Sequence, residues 1–268
     1  MIVDYHMHLR DLNEEIALET WTVDPYVEAA RAAGVDEIGF TEHIYYFTES
    51  RSLWEVPYQV ERCVHDIDPY VAAVIEARER GLPVKLGLEV DYVPGREDET
   101  RAILAPYPWD YLLGSVHFID GLGVDGEEPR MLDVLGVEGS WRLYFETLAA
   151  AARSGLFDSL SHPDLVKIFG ERPPLFDYGP VVAAIADSGV AVEVSTAGLH
   201  KPVGELYPHP ELLAECRLRE IPVTMGSDAH EPRVVGRDFD RARELLRSAG
   251  YETVTVFERR TSRQEPLG

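Results

Sequence analysis

The chain has 268 residues, 45% of them hydrophobic and 27% charged, which suits one large globular domain or two small ones. Its 48 acidic and 25 basic residues give a formal charge of −23, a surface that repels nucleic acid and anionic lipid and argues against a sequence-reading DNA protein. No run of about eighteen apolar residues is available to span a membrane. The N-terminus lacks the build of a signal peptide, and two distant cysteines, Cys63 and Cys216, exclude a disulfide framework, so a cytoplasmic setting is expected.

Seven short apolar or β-branched segments read as strands. In chain order they are IVDYHMH (2–8), EIGFTEH (37–43), PVKLGLEVDY (83–92), YLLGSVHFID (111–120), SLSHPDL (159–165), AVEVST (191–196) and PVTMGSDAH (222–230). Helical patterns lie between most of them. DPYVEAARAAG (24–34) starts with Asp24 as expected N-cap and Pro25 at the first helical position, and stops at Gly34. The stretch 58–81 is long and mostly periodic, with Pro69 as the expected break. Further helices are predicted over 140–155, 177–189, 210–220 and 239–250. Strand alternating with helix implies parallel strands joined by helical crossovers. No linker, repeat or low-complexity run divides the chain, so the reading is one α/β domain over 1–268, a closed barrel rather than an open sheet.

Nearly every predicted strand ends in a potential metal ligand. Strand one ends with His6 and His8, strand two with Glu42 and His43, and strand three carries Glu89 and Asp91. His117 and His162 end strands four and five, and Asp228 and His230 end strand seven. In α/β barrels the carboxyl ends of the strands converge on the active site. Alternate residues share a strand face, so His6 and His8 can reach one ion together, as can Asp228 and His230. A lone histidine beside an apolar strand is usually structural, but such placement at successive strand ends makes accident a poor account. Histidine with carboxylate suits zinc, iron or manganese, whereas calcium or magnesium would lean on oxygen alone. Both cysteines fall in helical segments, so no thiolate takes part and the site reads as catalytic, with open positions for water. Six histidines, Glu89 and Asp228 are too many ligands for one ion, so two or three are expected, with Glu89 as the natural bridge.

At these residues the sequence resembles the PHP (polymerase and histidinol phosphatase) superfamily, and within it the stand-alone histidinol-phosphate phosphatases. The similarity runs the full length, through HMH, FTEH, GLEVDYVPG, WDYLLGSVHF, SHPDLVKIFG, STAGL followed by KPVGELYP, and MGSDAH. HxH alone is weak; the ordered set is specific. The resemblance implies a distorted (β/α)7 barrel with a three-metal cluster. It implies that His6, His8, Glu89 and Asp228 hold one ion, Glu89, His117 and His162 a second, and His43 and His230 a third. Relatives often complete the third site with a histidine that here is Glu14, a departure; Glu15 or Asp11 are the alternatives.

The implied reaction is hydrolysis of L-histidinol phosphate to histidinol and phosphate by attack of a metal-bridging hydroxide, with Glu89, His117 and Asp228 at its centre. No G-x-S-x-G, P-loop or aspartyl-phosphatase motif competes; Asp238-Phe239-Asp240 reads as a helix start. Lys167, Lys201 and His200 are the expected substrate-binding residues, with Arg172 a weaker candidate, and the partner is a small phosphorylated substrate; oligomeric state is left open. Asp4, Glu42, Asp91 and Asp164 could orient imidazoles, and Tyr45, Tyr46 and Phe47 could line the alcohol side of the pocket. His65 and His209 are expected to be structural or solvated. The alternatives are a phosphoesterase on another small ester (a cyclic phosphate, sugar phosphate or nucleotide), a metal-barrel amidohydrolase bridged by a modified lysine, or a non-catalytic metal-binding protein.

Overall fold

In a computed structural model, which describes residues 1–9, 21–126 and 129–268, parallel strands run round a distorted ring. Eight of them carry it: β1 (Val3–Asp4), β2 (Glu37–Phe40), β3 (Val84–Leu86), β4 (Glu89–Asp91), β5 (Leu113–Ser115), β8 (Ser159–Leu160), β9 (Ala191–Ser195) and β10 (Val223–Gly226). They form two sheets, β1-β2-β3 and β10-β9-β8-β5-β4, every pair parallel. The sheets join at both seams. Beyond β1, Tyr5 N donates to Met225 O (2.9 Å) and His8 N to Ala229 O (2.7 Å). At the other seam Gly87 N donates to Phe40 O (2.9 Å) and Glu89 N to Glu42 O (3.0 Å). The predicted strand 83–92 is therefore two pieces, β3 paired to β2 and β4 paired to β5.

Helices cover the ring: α1 (Asp24–Ala33), α2 (Pro57–Arg62), α3 (Ile67–Glu79), α4 (Glu97–Leu104), α5 (Met131–Arg153), α6 (Gly179–Ser188), α7 (Pro210–Leu218) and α8 (Phe239–Ser248). Several depart from the sequence expectation in ways local chemistry explains. Val23 takes the N-cap position of α1, and Asp24 pairs with Arg80 instead (2.9 Å). The stretch 58–81 breaks at 63–66, ahead of Pro69, because Asp66 caps a new helix by accepting from Asp68 N at 2.9 Å. Gly136, at φ 67° and ψ 177°, kinks α5 and lets it begin nine residues before the predicted 140.

Two hairpins add to the ring. Strands β6 (Phe118–Ile119) and β7 (Leu122–Gly123) follow β5, and β11 (Thr253–Glu258) pairs antiparallel with β12 (Thr261–Pro266) at the C-terminus. Phe257 of β11 is 1% exposed and packs against Tyr111 (5.3 Å between ring centroids) and Tyr5 (5.7 Å). The hairpin turn docks beside Asp110 and Asp158, which precede β5 and β8, with Arg260 N donating to Asp110 O at 2.9 Å. Aromatic packing thus fills the end of the barrel where strands begin and leaves the end where they finish to polar residues. Among the described residues no helix is long and apolar enough to cross a membrane.

Candidate metal centre

Every histidine and carboxylate singled out at the strand ends comes to one place; Glu14, Glu15 and Asp11, the candidates that the resemblance adds for the third ion, lie outside the described residues. Glu89 is its hub. Its Oε1 lies 3.1 Å from His162 Nε2, 3.4 Å from His6 Nε2 and 3.6 Å from His117 Nε2. Its Oε2 lies 2.7 Å from His43 Nδ1 and 3.7 Å from His8 Nε2. Asp228 Oδ1 faces His8 Nε2 (3.3 Å), His6 Nε2 (3.6 Å) and His230 Nδ1 (3.7 Å). The imidazole of His8 stacks against those of His43 and His230, at 4.2 and 4.3 Å, and these two rings lie 5.9 Å from each other.

The backbone is shaped to bring these groups together. Asp228 (φ 54°) and His162 (φ 24°) hold positive φ angles that side chains other than glycine rarely adopt, a cost of order 1–3 kcal/mol each. Gly226, in GSDAH, leaves room at the meeting of β10, β9 and β1: a Cβ there would lie 2.1 Å from Glu193 Oε1 and 2.5 Å from the His6 Cβ.

The donor set fits divalent metal ions. Four trios place their ligand atoms within 4.8 Å of one another: His6–His8–Asp228, His6–Glu89–His162, His43–Glu89–His117 and His8–His43–His230. His6 Nε2, both nitrogens of His8, His43 Nδ1, Glu89 Oε2, His162 Nδ1 and His230 Nε2 are buried with no hydrogen-bond partner. Each such atom costs roughly 1–3 kcal/mol unless something compensates it. His43 Nδ1 and Glu89 Oε2 stand 2.7 Å apart without hydrogen-bond alignment, a juxtaposition of lone pairs that a cation resolves.

The electrostatics of the side chains alone point the same way. Burial disfavours charge on His6, yet Glu193, Glu89 and Asp228 outweigh it and hold its pKa well above the ordinary range. The same contest lifts His8 to about 9, through Asp228 and Glu42, and His117 to about 10, through Asp91 and Glu89. His43 and His230 go the other way: burial and the neighbouring His8 cation lower both, His230 to about 3. Burial alone would raise Glu89, but His6, His43 and His117 hold it well below the carboxylate range; His6 and His8 do the same for Asp228. A carboxylate cluster that holds protons on buried imidazoles is one that demands positive charge.

A ring of acceptors orients the ligands, and only part of it follows the expectation. Asp91 does so, its Oδ1 lying 2.9 Å from His117 Nδ1. Glu42 accepts from Leu9 N (3.1 Å) and lies 3.4 Å from His8 Nδ1. Asp4 instead ties the loop after β10, accepting from Ser227 N (2.8 Å), Ser227 Oγ (2.6 Å) and Gly236 N (2.9 Å). Asp164 accepts from His209 N (2.7 Å) and pairs with Lys167. Sequence reasoning missed Glu193, whose Oε1 lies 2.8 Å from His6 Nδ1 while Oε2 accepts from His162 N at 2.7 Å. The signal was there: an ionisable residue inside the apolar run AVEVST is buried only when paired.

A cavity of about 210 Å³ opens on the cluster, bordered on its other side by Tyr45, Tyr58, Phe118, Asp125, Lys201 and Tyr207. Tyr46 and Phe47 are buried in the core and do not line it. Lys201 also borders an adjoining cleft of about 290 Å³ with His200, Arg233 and Arg237. His200 Nε2 is 2.7 Å from Asp238, the residue before α8. Lys167 is fully buried, its ammonium already held by Leu206 O (2.7 Å), Asp164 (3.0 Å) and Glu205 (3.5 Å), so its donors are spent inside the protein. Arg172 pairs with the same Glu205 at 2.6 Å. The lysine-bridged alternative finds no support, since Lys85 lies 3.7 Å from Glu37 and the carboxylate that faces the imidazoles is that of Glu89. A larger hollow, about 680 Å³, lies at the other end of the barrel beside Trp109 and Arg260, with none of the clustered histidines on its walls.

Imidazoles and carboxylates converging from successive strands on the carboxyl end of an α/β barrel define a barrel metallohydrolase. Residues 4–197 match the PHP domain family, and the chain belongs to that family. It is 35% identical to the probable histidinol-phosphatase of Deinococcus radiodurans over 250 residues, 90% of this chain and 92% of that one. It is 29% identical to the histidinol-phosphatase of Bacillus subtilis over 252 residues, 82% and 91% of the two chains. The fold matches a crystal structure of histidinol phosphate phosphatase from Lactococcus lactis, complexed with zinc, L-histidinol and phosphate, with a TM-score of 0.70 at 21% identity, covering 98% of each chain.

Proposed function

We propose that the chain is a metal-dependent phosphomonoesterase that hydrolyses L-histidinol phosphate to histidinol and phosphate. The observation that carries the reading is the Glu89-centred cluster of six histidines and Asp228, opening on a cavity of about 210 Å³, in a chain 35% identical to a probable histidinol-phosphatase over 90% of its length. Two to three zinc, manganese or iron ions would be held by His6, His8, His43, Glu89, His117, His162, Asp228 and His230. Such ions supply Lewis acidity: they acidify water toward neutral pH and neutralise phosphoryl charge.

The chain's own residues do the rest. Glu89, in reach of five imidazoles, would serve as the shared ligand. Asp91 and Glu193 fix the rings of His117 and His6. Lys201, on the border between cavity and cleft, meets the phosphoryl group, and His200 stands beside it. Tyr45, Tyr58 and Phe118 face the organic half of the substrate, with the Asp125 carboxylate among them to match its amine or imidazole. Residues 1–268 act as one PHP unit, since β10 and the segment after it, beyond the matched stretch, supply Asp228 and His230 and bond to the segment after β1. We place the activity in the cytoplasm, in keeping with two unpaired cysteines.

A phosphate-release screen with the manganese- or zinc-loaded protein tests the reading. The panel holds histidinol phosphate, sugar phosphates, nucleotides and cyclic phosphates. The expected result is kcat/KM for histidinol phosphate far above the rest; a flat profile would overturn that substrate.

A further inference from the structure

We propose that the Tyr207 hydroxyl is a substrate-binding group, donating a hydrogen bond to a non-bridging phosphoryl oxygen; this rests on the phosphatase reading above. Tyr207 is 1% exposed, and among the described residues its hydroxyl is the one tyrosine OH buried without a hydrogen-bond partner. The other fully buried tyrosines are all engaged. Tyr70 donates to Gly87 O (2.8 Å), Tyr111 to Tyr5 O (2.7 Å), Tyr144 to His162 O (3.4 Å) and Tyr5 to Glu37. A fold that satisfies four such hydroxyls and leaves the fifth at its metal centre calls for a ligand there.

The ring cannot swing away to find another partner. Tyr207 exchanges backbone hydrogen bonds with Ser195 at the carboxyl end of β9 (2.8 and 3.0 Å). The Lys167 ammonium lies 5.2 Å from its ring centroid, and the His162 ring stands at 6.2 Å, edge to face. Gly198 gives the ring its seat, because a Cβ there would come within 2.8 Å of it. This also assigns a use to the buried Lys167, as part of the ring's mount rather than as a phosphate ligand. The face left to Tyr207 is the cavity it shares with Glu89, His117, Asp228 and His230.

The chemistry selects the acceptor. Burial, reinforced by Asp164 and Asp228, pushes the phenol well above its ordinary pKa, so it stays neutral and acts as a donor rather than a base. Of the protein's own acceptors lining this cavity, the imidazoles, Glu89 and Asp228 are the ligands proposed for the cations, and Asp125 is the group proposed for the amine or imidazole of the substrate. A phosphoryl group brings anionic acceptor oxygens of its own. A hydrogen bond to a charged acceptor is stronger than one between neutral groups.

Tyr207→Phe keeps the ring and removes the hydroxyl, and the metal-loaded enzyme reads the difference in three ways. We expect kcat/KM for histidinol phosphate to fall roughly 10- to 100-fold, the scale of a lost hydrogen bond to a charged group. Inorganic phosphate should bind more weakly by calorimetry, and Tm should stay level or rise, because an orphaned polar group has been removed. Unchanged turnover and unchanged phosphate affinity would overturn the proposal. So would a lowered Tm alongside the lost activity, which would place the hydroxyl in the folding network. The phosphate-binding arm stands apart from turnover: a wild-type enzyme that binds phosphate through Tyr207 yet leaves histidinol phosphate intact would count against the substrate reading alone.

Discussion

Glu193 sits inside an apolar strand, and its two oxygens take different partners, His6 Nδ1 at 2.8 Å and the backbone N–H of His162 at 2.7 Å. The first contact fixes the ring so that Nε2 faces Glu89 and Asp228; the second holds His162 at its strained φ of 24°. Glu193→Gln keeps shape and one acceptor but loses the charge. It should weaken metal binding by roughly 10- to 100-fold, the usual cost of losing a ligand's supporting acceptor. Competition against a chelator measures this, and wild-type affinity in the variant would remove Glu193 from the role. Protons give a second prediction at this scale. With pKa values of about 9 for His8 and about 10 for His117, both rings carry protons at pH 7.5 in the metal-free protein. Coordination needs them neutral, so loading should release protons and tighten as pH rises. The raised values stabilise the metal-free fold fully below pH 6.5, and that contribution is lost as pH climbs through about 9 to 10, so alkaline pH favours the loaded form doubly. Calorimetry of metal binding in two buffers of different ionisation enthalpy should give different apparent heats; identical heats would contradict the protonation pattern.

Among the elements, the ring strands were legible because nearly every one of the predicted apolar runs has a candidate ligand at its end. Their convergence was legible because parallel strands bring their carboxyl ends to one side. Less visible was what depends on partners distant in sequence. PVKLGLEVDY reads as one strand, and only its two sets of neighbours divide it into β3 and β4. Helix α4, EDETRAIL, has an acidic first turn that suits a helix N-terminus but too short an apolar stripe to stand out. The alternation TVTVFE of β11 is a plain period-two pattern, but it carries no candidate ligand to mark it. Asp91 could be proposed as an orienting acceptor because it lies two residues from Glu89. Glu193 could be read as a residue that must be paired, but its partners, like Tyr207 and the partners of Lys167, depend on tertiary geometry that no local spacing encodes. Lys167 shows the limit well: basic and two residues past the SHPDL segment, it reads as a phosphate ligand until Asp164, Leu206 and Glu205 are seen around its ammonium.

At the scale of the molecule the barrel divides its tasks between two ends. The carboxyl end gathers buried ionisable groups, strained backbone and orphaned polar atoms, features that cost stability. The amino end offsets them with aromatic packing, in which Phe257, Tyr5 and Tyr111 pack on one another. Phe257 arrives on the last hairpin, beyond every candidate ligand, so the two ends can be tested separately. Phe257→Ala should destabilise the protein by about 3–5 kcal/mol, the range for emptying a buried aromatic site. For a chain of this size that lowers Tm on the order of 10 °C. Below the transition the loaded variant should keep its metal content, because among the described residues the rings packed on Phe257 are those of Tyr5 and Tyr111 and not a histidine of the cluster. Thermal melts of metal-free and metal-loaded protein, with elemental analysis, make the comparison. If metal were lost while the fold stayed intact, the two ends would be coupled through the strands rather than separable. If Tm did not move, the hairpin would be an ornament on the barrel and not its plug.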